Sequence, residues 1–257
     1  ALAGDAALTV VDLSSAELYA QAHIPGAIHF EYASLVTGDA PAAGKLPPLT
    51  GIIAQLGAKG IGSDQHIVVY DGEGSGKAAR FCWTLDVLGF GKWSMLDGGL
   101  AAWAAENRPL SSERTTPPPK TFNATDATGS TRADVEFITG NLDNAGVALL
   151  DARTPAEYAG QDVRSTRGGR IPGAANLNWV ETMDADNAGR LRDATELRSM
   201  LTERGLTPDR EIVTYCQTHH RSAHSYVMLK SLGYENIRGY DGSWSEWGNL
   251  EDTPVEV

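Results

Sequence analysis

The chain has 257 residues, 42% hydrophobic and 21% charged, with a formal net charge of −12 and two cysteines. Such a composition is that of a globular protein of one large domain or two ordinary ones, at about 100–200 residues each. It excludes a generally basic nucleic-acid-binding face, a disulfide framework and a membrane span, for which ~18 consecutive apolar residues are needed.

No basic-then-apolar leader is visible at the start of the sequence. In chain order, Val10–Leu13 (VVDL) reads as a strand and the SSAELYA that follows as a helix. His23–Ala27 (HIPGA) reads as a turn, because proline holds φ beside a glycine that leaves it free. His66–Asp71 (HIVVYD) predicts a buried strand, Ala78–Leu88 a helix containing Cys82, Ser94–Gly98 a strand ending in Asp-Gly turn chemistry, and Leu100–Glu106 a helix. Cys82 lies in an apolar helical run and is expected to pack in the core. Pro109–Lys120 (PLSSERTTPPPK), with three consecutive prolines, predicts an extended spacer.

After the spacer the chain repeats itself. VVDLSSAELY (Val10–Tyr19) returns as LLDARTPAEY (Leu149–Tyr158), HIPGA as RIPGA (Arg170–Ala174), and HIVVYD as EIVTYC (Glu211–Cys216). Leu88–Trp103 returns as Leu232–Trp247 without a gap. The repeat divides the chain into residues 1–110, a linker 111–120 and residues 121–257. Alternating strands and helices predict an α/β fold with a mainly parallel sheet flanked by helices in each copy, and ligands beyond the carboxyl ends of the strands. The second copy carries two additions, Gly160–Gly169 (GQDVRSTRGG) and Thr121–Phe137, the latter without a counterpart in the first copy. Asp12 and Asp151 are expected to serve turns or caps, Trp244 and Trp247 the core. His23, replaced by Arg170 in the second copy, is expected to be structural. Arg164, Arg167 and Arg170 are either an anion-attracting rim or a solvated surface, and the solvated surface is the simpler reading.

The copies differ where chemistry would occur. Cys216 ends a β-branched and aromatic run and opens the loop Gln217, Thr218, His219, His220, Arg221 and Ser222, ahead of a helix-length stretch closed by Gly233. A loop between strand and helix aims backbone N–H groups at whatever lies above it. The same N–H groups, the helix dipole and Arg221 would stabilise a thiolate and draw an anionic substrate. The first copy has Asp71 opposite Cys216 and DGEGSGK opposite CQTHHRS, in a loop expected to be one residue longer. A carboxylate is not a thiol nucleophile, and Asp71 with Glu73 should repel an anion, so the first copy is expected to be silent. GEGSG lacks phosphate-loop spacing, and the adjacent histidines beside one cysteine do not make a metal site.

Tyr19-x-x-x-His23-Ile24-Pro25-Gly26-Ala27 near the start and Tyr240-Asp241-Gly242-Ser243-Trp244-Ser245-Glu246-Trp247 near the end resemble signatures of the tandem-domain rhodanese (thiosulfate sulfurtransferase) family. The loop CQTHHRS is similar to that of bacterial rhodaneses of the Azotobacter type. The resemblance implies two rhodanese-like domains, and sulfur transfer from thiosulfate to cyanide or another thiophilic acceptor, such as a protein thiol, through a Cys216 persulfide. It implies no cofactor beyond that covalent intermediate. A free catalytic thiol fits a reducing compartment, hence the cytoplasm, and two internal copies fit a monomer. Cys216 is the expected nucleophile and Gln217–Ser222 the substrate loop, with His219 and His220 either donating to the sulfonate or shaping the loop. Three alternatives stand beside this reading. A cysteine phosphatase or arsenate reductase normally has a Cys-x5-Arg cradle, longer than the one here. A mercaptopyruvate sulfurtransferase would resemble Cys-Gly-Ser-Gly-Val. A sulfur-carrier or stress-sensing module would deliver its persulfide to a protein partner.

Overall fold

The computed structural model describes residues 8–257, which form two compact units. The first runs to Val36 and takes in Leu46–Ala127 and Asp184–Arg190; the second comprises Thr37–Lys45, Thr128–Met183 and Leu191–Val257. Each half of the sequence therefore gives a short segment to the unit built mainly from the other half.

In the first unit β1 (Leu8–Asp12), β2 (Ile28–His29), β3 (His66–Tyr70) and β4 (Trp93–Met95) form a parallel sheet in the order β2-β1-β3-β4. Its helices are α1 (Ala16–Gln21), α2 (Leu49–Ala58), α3 (Gly76–Val87) and α4 (Gly99–Ala105). In α3 all residues except Lys77 are buried, including Cys82. A helix that is covered on every side needs apolar or small residues all round, and AARFCWTLDV largely supplies them.

The second unit orders its strands β5-β11-β10-β6-β7, all parallel: β5 (Arg132–Ala133), β6 (Val147–Asp151), β7 (Ala175–Asn176), β10 (Glu211–Tyr215) and β11 (Ile237–Tyr240). A short two-stranded ribbon, β8 (Met183–Asp184) with β9 (Arg190–Leu191), lies in the connection before β10. The helices are α5 (Thr128–Thr131), α6 (Val135–Gly140), α7 (Pro155–Tyr158), α8 (Ala194–Thr202), α9 (Arg221–Ser231) and α10 (Ser243–Trp247). β10 is central, and Ile212, Val213, Thr214 and Tyr215 are fully buried, as a parallel strand covered on both faces requires. The segment without a counterpart in the first copy supplies β5, an edge strand absent from the first sheet among the described residues.

The repeated motif has one physical job in both units. Tyr19 Oη donates to the Ala27 carbonyl at 2.8 Å and Tyr158 Oη to Ala174 at 2.6 Å. The turn's Ile N–H donates to a strand tyrosine in each case, Ile24 to Tyr70 at 2.9 Å and Ile171 to Tyr215 at 3.2 Å. Gly26 and Gly173 sit at φ 81° and 73°, the left-handed region that a side chain would strain. Asp12 and Asp151 stand opposite Tyr70 and Tyr215 in register and accept the N–H of Ser14 and Arg153, serving turns as expected. His23 is fully buried, its ring bonded to the Tyr19 and Glu113 carbonyls, a structural placement. Trp244 and Trp247 lie in the second core.

Two expectations are corrected. Helix α3 begins five residues after Asp71 and α9 five after Cys216, so the two loops are equal in length; the extra residue lies in α3, with 12 residues against 11. Arg167 and Arg170 form neither rim nor solvated surface. Arg167 donates to the Trp247 and Thr253 carbonyls at 2.8 and 2.7 Å and also to Leu250; Arg170 pairs with Glu256 and lies over the Tyr158 ring at 4.5 Å. Both fasten the C-terminal segment. Among the described residues no helix is long and apolar enough to cross a membrane.

Candidate active site

Cys216 follows β10 directly and is 1% exposed. Its own N–H donates to Ser243 Oγ at 3.3 Å, and its carbonyl accepts from Trp244 N at 2.9 Å; the Gln217 carbonyl accepts from Ser245 N at 3.0 Å. The base of the loop is thus tied to the start of α10. Ser243 is held at φ 51°, and its hydroxyl donates to the Tyr240 carbonyl at 2.7 Å, a strained position fixed by two hydrogen bonds.

Burial by itself would push the Cys216 thiol up. The Arg221 charge, the Ser222 hydroxyl, and the N–H groups of Ser222 and Thr218 outweigh it, and the thiol falls below its ordinary value. The structure brings all the loop residues singled out from sequence to one strand-to-helix turn. His219 is buried at φ 55° with Nδ1 2.7 Å from Ser222 Oγ, so its ring braces the loop. Gln217 Nε2 donates to the Arg164 carbonyl and Ser165 Oγ, both at 3.2 Å. His220 occupies the N-cap position of α9 with no side-chain bond to the helix end, and its ring lies 6.0 Å from that of Trp179. Arg221 is the first residue of α9 and Ser222 the second.

Glu157 is the residue that sequence reasoning missed. It is 1% exposed and accepts from both Arg221 nitrogens, Nη1 to Oε2 at 2.6 Å and Nη2 to Oε1 at 2.8 Å. Thr154 N and Oγ1 also donate to Oε2, at 3.1 and 3.0 Å, completing a capping box on α7. Burial would raise the Glu157 carboxyl; the bonds from Arg221 and Thr154 hold it at about 2 instead. The same pairing raises Arg221 further above its usual range against the opposing effect of burial. Arg164, 52% exposed, pairs with Asp162 and stands 3.7 Å from Glu157. A signal was present in the sequence: in the aligned first copy Leu18 replaces Glu157 and Gly76 replaces Arg221, so the two charges occur together or not at all.

His224, one turn into α9, is 2% exposed, edge-on to Trp179 at 5.5 Å, and its Nδ1 has no hydrogen-bond partner among the described residues. Burial and the neighbouring His220 lower it to about 4, so it is neutral at pH 7.

The equivalent turn of the first unit holds its own anion. Asp71 Oδ1 accepts from Glu73 N and Ser75 N, and Oδ2 from Ala78 N, each at 2.8 Å. The Asp71 carbonyl accepts from Leu100 N, as that of Cys216 does from Trp244 N. The carboxylate fills the cradle rather than merely repelling an incoming anion.

The rhodanese-like domain model matches this chain twice, over residues 1–106 and 135–250. The chain is 46% identical to the thiosulfate sulfurtransferase of Azotobacter vinelandii over 97% of its own length and 91% of that protein's. It is 44% identical to the Pseudomonas aeruginosa thiosulfate sulfurtransferase over the same shares. Among solved structures it is similar in fold to the anaerobic ergothioneine biosynthesis enzyme of Chlorobium limicola, with a TM-score of 0.86 at 20% identity, over 97% of this chain and 64% of that one. Two parallel sheets built from one repeat, a cysteine turn in one and an aspartate turn in the other, and a double domain match together make this chain a member of the rhodanese-like family.

Proposed function

We propose that the protein is a thiosulfate sulfurtransferase in which the Cys216 thiolate carries the sulfur. The Cys216 thiolate attacks the outer sulfur of thiosulfate; the Sγ–S bond forms as the S–S bond of the donor breaks, and its electron pair leaves with sulfite. Cyanide or a protein thiolate then attacks the outer sulfur of the persulfide, and the returning pair restores the thiolate. No cofactor takes part.

The observation that carries this reading is the Cys216 environment: a thiol pulled down despite burial, by one guanidinium, one hydroxyl and two backbone N–H groups. Those groups would equally stabilise the negative charge of a persulfide. The names of relatives nearly half identical from end to end favour thiosulfate as the donor. Arg221 lies five positions after Cys216, which leaves a cradle smaller than the one a tetrahedral oxyanion occupies in cysteine phosphatases. His219 shapes the loop through Ser222 and is not assigned to the substrate. The second unit acts alone, because the first holds a carboxylate where sulfur would be carried. The protein works as a cytoplasmic monomer.

Intact mass after incubation with thiosulfate, with thiocyanate production from cyanide, tests the reading. Wild type gains one sulfur atom and Cys216→Ala gains none. Equal thiocyanate production by the two would overturn the assignment.

A further inference from the structure

We propose that Thr37–Lys45, a segment of the first copy, is a strap that positions the sulfur-carrying loop, and that Gly44 is its positioning residue. This rests on the reading of Cys216 as nucleophile. The segment belongs to the second compact unit, whereas the residues on either side of it in the chain belong to the first. It closes on itself, with Thr37 N donating to the Lys45 carbonyl at 2.8 Å, Gly38 N to Ala43 at 3.1 Å and Lys45 N to Ala42 at 3.0 Å. Its end is tied down by an ion pair from Lys45 to Glu246, whose Oε2 accepts from Tyr240 Oη at 3.0 Å.

Gly44 is where the strap meets the loop. A Cβ there would lie 2.2 Å from the Thr218 carbonyl oxygen, 2.7 Å from its carbon and 2.8 Å from the Asp241 carbonyl oxygen. All three are backbone atoms, so none can swing aside as a side chain would. The φ of Gly44 is outside the left-handed region; lack of space, not backbone freedom, demands glycine. Both carbonyls belong to the segments that hold Cys216. The Thr218 N–H is one of the groups that pull the Cys216 thiol down, and Asp241 leads into Ser243, whose hydroxyl accepts the Cys216 N–H. A side chain at position 44 forces Thr218 outward and weakens its N–H bond to sulfur. The silent half thereby has a part in the chemistry that its own loop cannot perform.

The test is the pH profile of Cys216 alkylation by iodoacetamide in the full chain, run beside kcat and KM with thiosulfate. Gly44→Ala is expected to raise the alkylation midpoint by about one pH unit and lower kcat/KM at neutral pH about tenfold, the effect of losing much of one charge-assisted hydrogen bond. Gly51→Ala, on α2 with open space at its Cβ, is the control and leaves both unchanged. Glu246→Gln releases Lys45 without adding a clash and is read even if Gly44→Ala does not fold. Removing that negative charge lowers the midpoint by field alone, so a rise reports a loosened strap and a fall or no change overturns the proposal. A folded Gly44→Ala protein with the wild-type midpoint overturns it too. If Cys216→Ala still transfers sulfur, the reading of the nucleophile fails instead, whatever position 44 does.

Discussion

Replacing Glu157 by glutamine should move stability and thiol acidity in opposite senses. The carboxylate is 1% exposed and takes two short bonds from Arg221 and two from Thr154. Its depression from 4.5 to about 2 corresponds to roughly 3 kcal/mol of folding free energy at neutral pH. That contribution is complete above the unfolded carboxyl's pKa and is lost as pH falls through about 2. Glutamine keeps the shape but not the charge, and Arg221, 16% exposed, regains part of its hydration; a loss of about 2 kcal/mol is expected. The thiol responds differently. Arg221 serves two anions, Glu157 and the Cys216 thiolate. With one neutralised, its charge is less compensated at sulfur, and the alkylation midpoint should fall by about one pH unit, the worth of roughly 1.4 kcal/mol. A thiolate of lower basicity is a weaker nucleophile, so kcat should fall a few-fold even as more thiolate is present. Denaturant melts, the iodoacetamide pH profile and thiocyanate production read the three quantities on one preparation. A midpoint that rises in Glu157→Gln would refute the reasoning, because it would mean that Arg221 leaves the sulfur once its anchor is gone.

Arg221→Ala removes the first of the influences that hold the thiol down and takes from Glu157 its nearest cation; its alkylation midpoint should rise by about two pH units, and an unmoved midpoint would remove Arg221 from the mechanism. Asp71→Ala orphans three N–H groups in the first unit and should cost about 3 kcal/mol in a denaturant melt while thiocyanate production is unchanged; a loss of activity in the folded variant would contradict a silent first loop. His224 is neutral when folded, held at about 4 mainly by burial, whereas the unfolded chain binds a proton near pH 6.5. The stability it contributes is complete above the unfolded value and is lost as pH falls through about 4. His224→Phe should flatten the decline in melting temperature between those pH values, and an unchanged slope would place the decline elsewhere.

What the sequence made legible follows the range of the forces involved. The strand before Cys216 and the helix after it are written in adjacent residues, a β-branched and aromatic run and then a helix-length stretch closed by Gly233, and both form. The repeat exposed the difference between Asp71 and Cys216 without any structure. It did not show that Asp71 takes the N–H groups for itself, since a charge in a sequence reads as a field and not as a ligand to its own loop. Arg167 and Arg170 looked solvated because their partners, Trp247 to Glu256, lie some eighty residues away. Glu157 went unread because it sits inside α7, where it closes the capping box of Thr154; its second role needs Arg221, on another helix. The place of Gly44 against Thr218 depends on a segment crossing between units, and no local pattern encodes that.

The carboxylate seated in the first turn also tells how to silence the second one gently. Alanine at position 216 would strand amide donors with nothing to accept them. Cys216→Asp would give those amides the occupant that their counterparts already hold, and the result should be an inert twin with its architecture undisturbed. Such a twin is the proper blank for every comparison of turnover, and it implies that, in this lineage of duplicated folds, forfeiting chemistry need not mean forfeiting robustness.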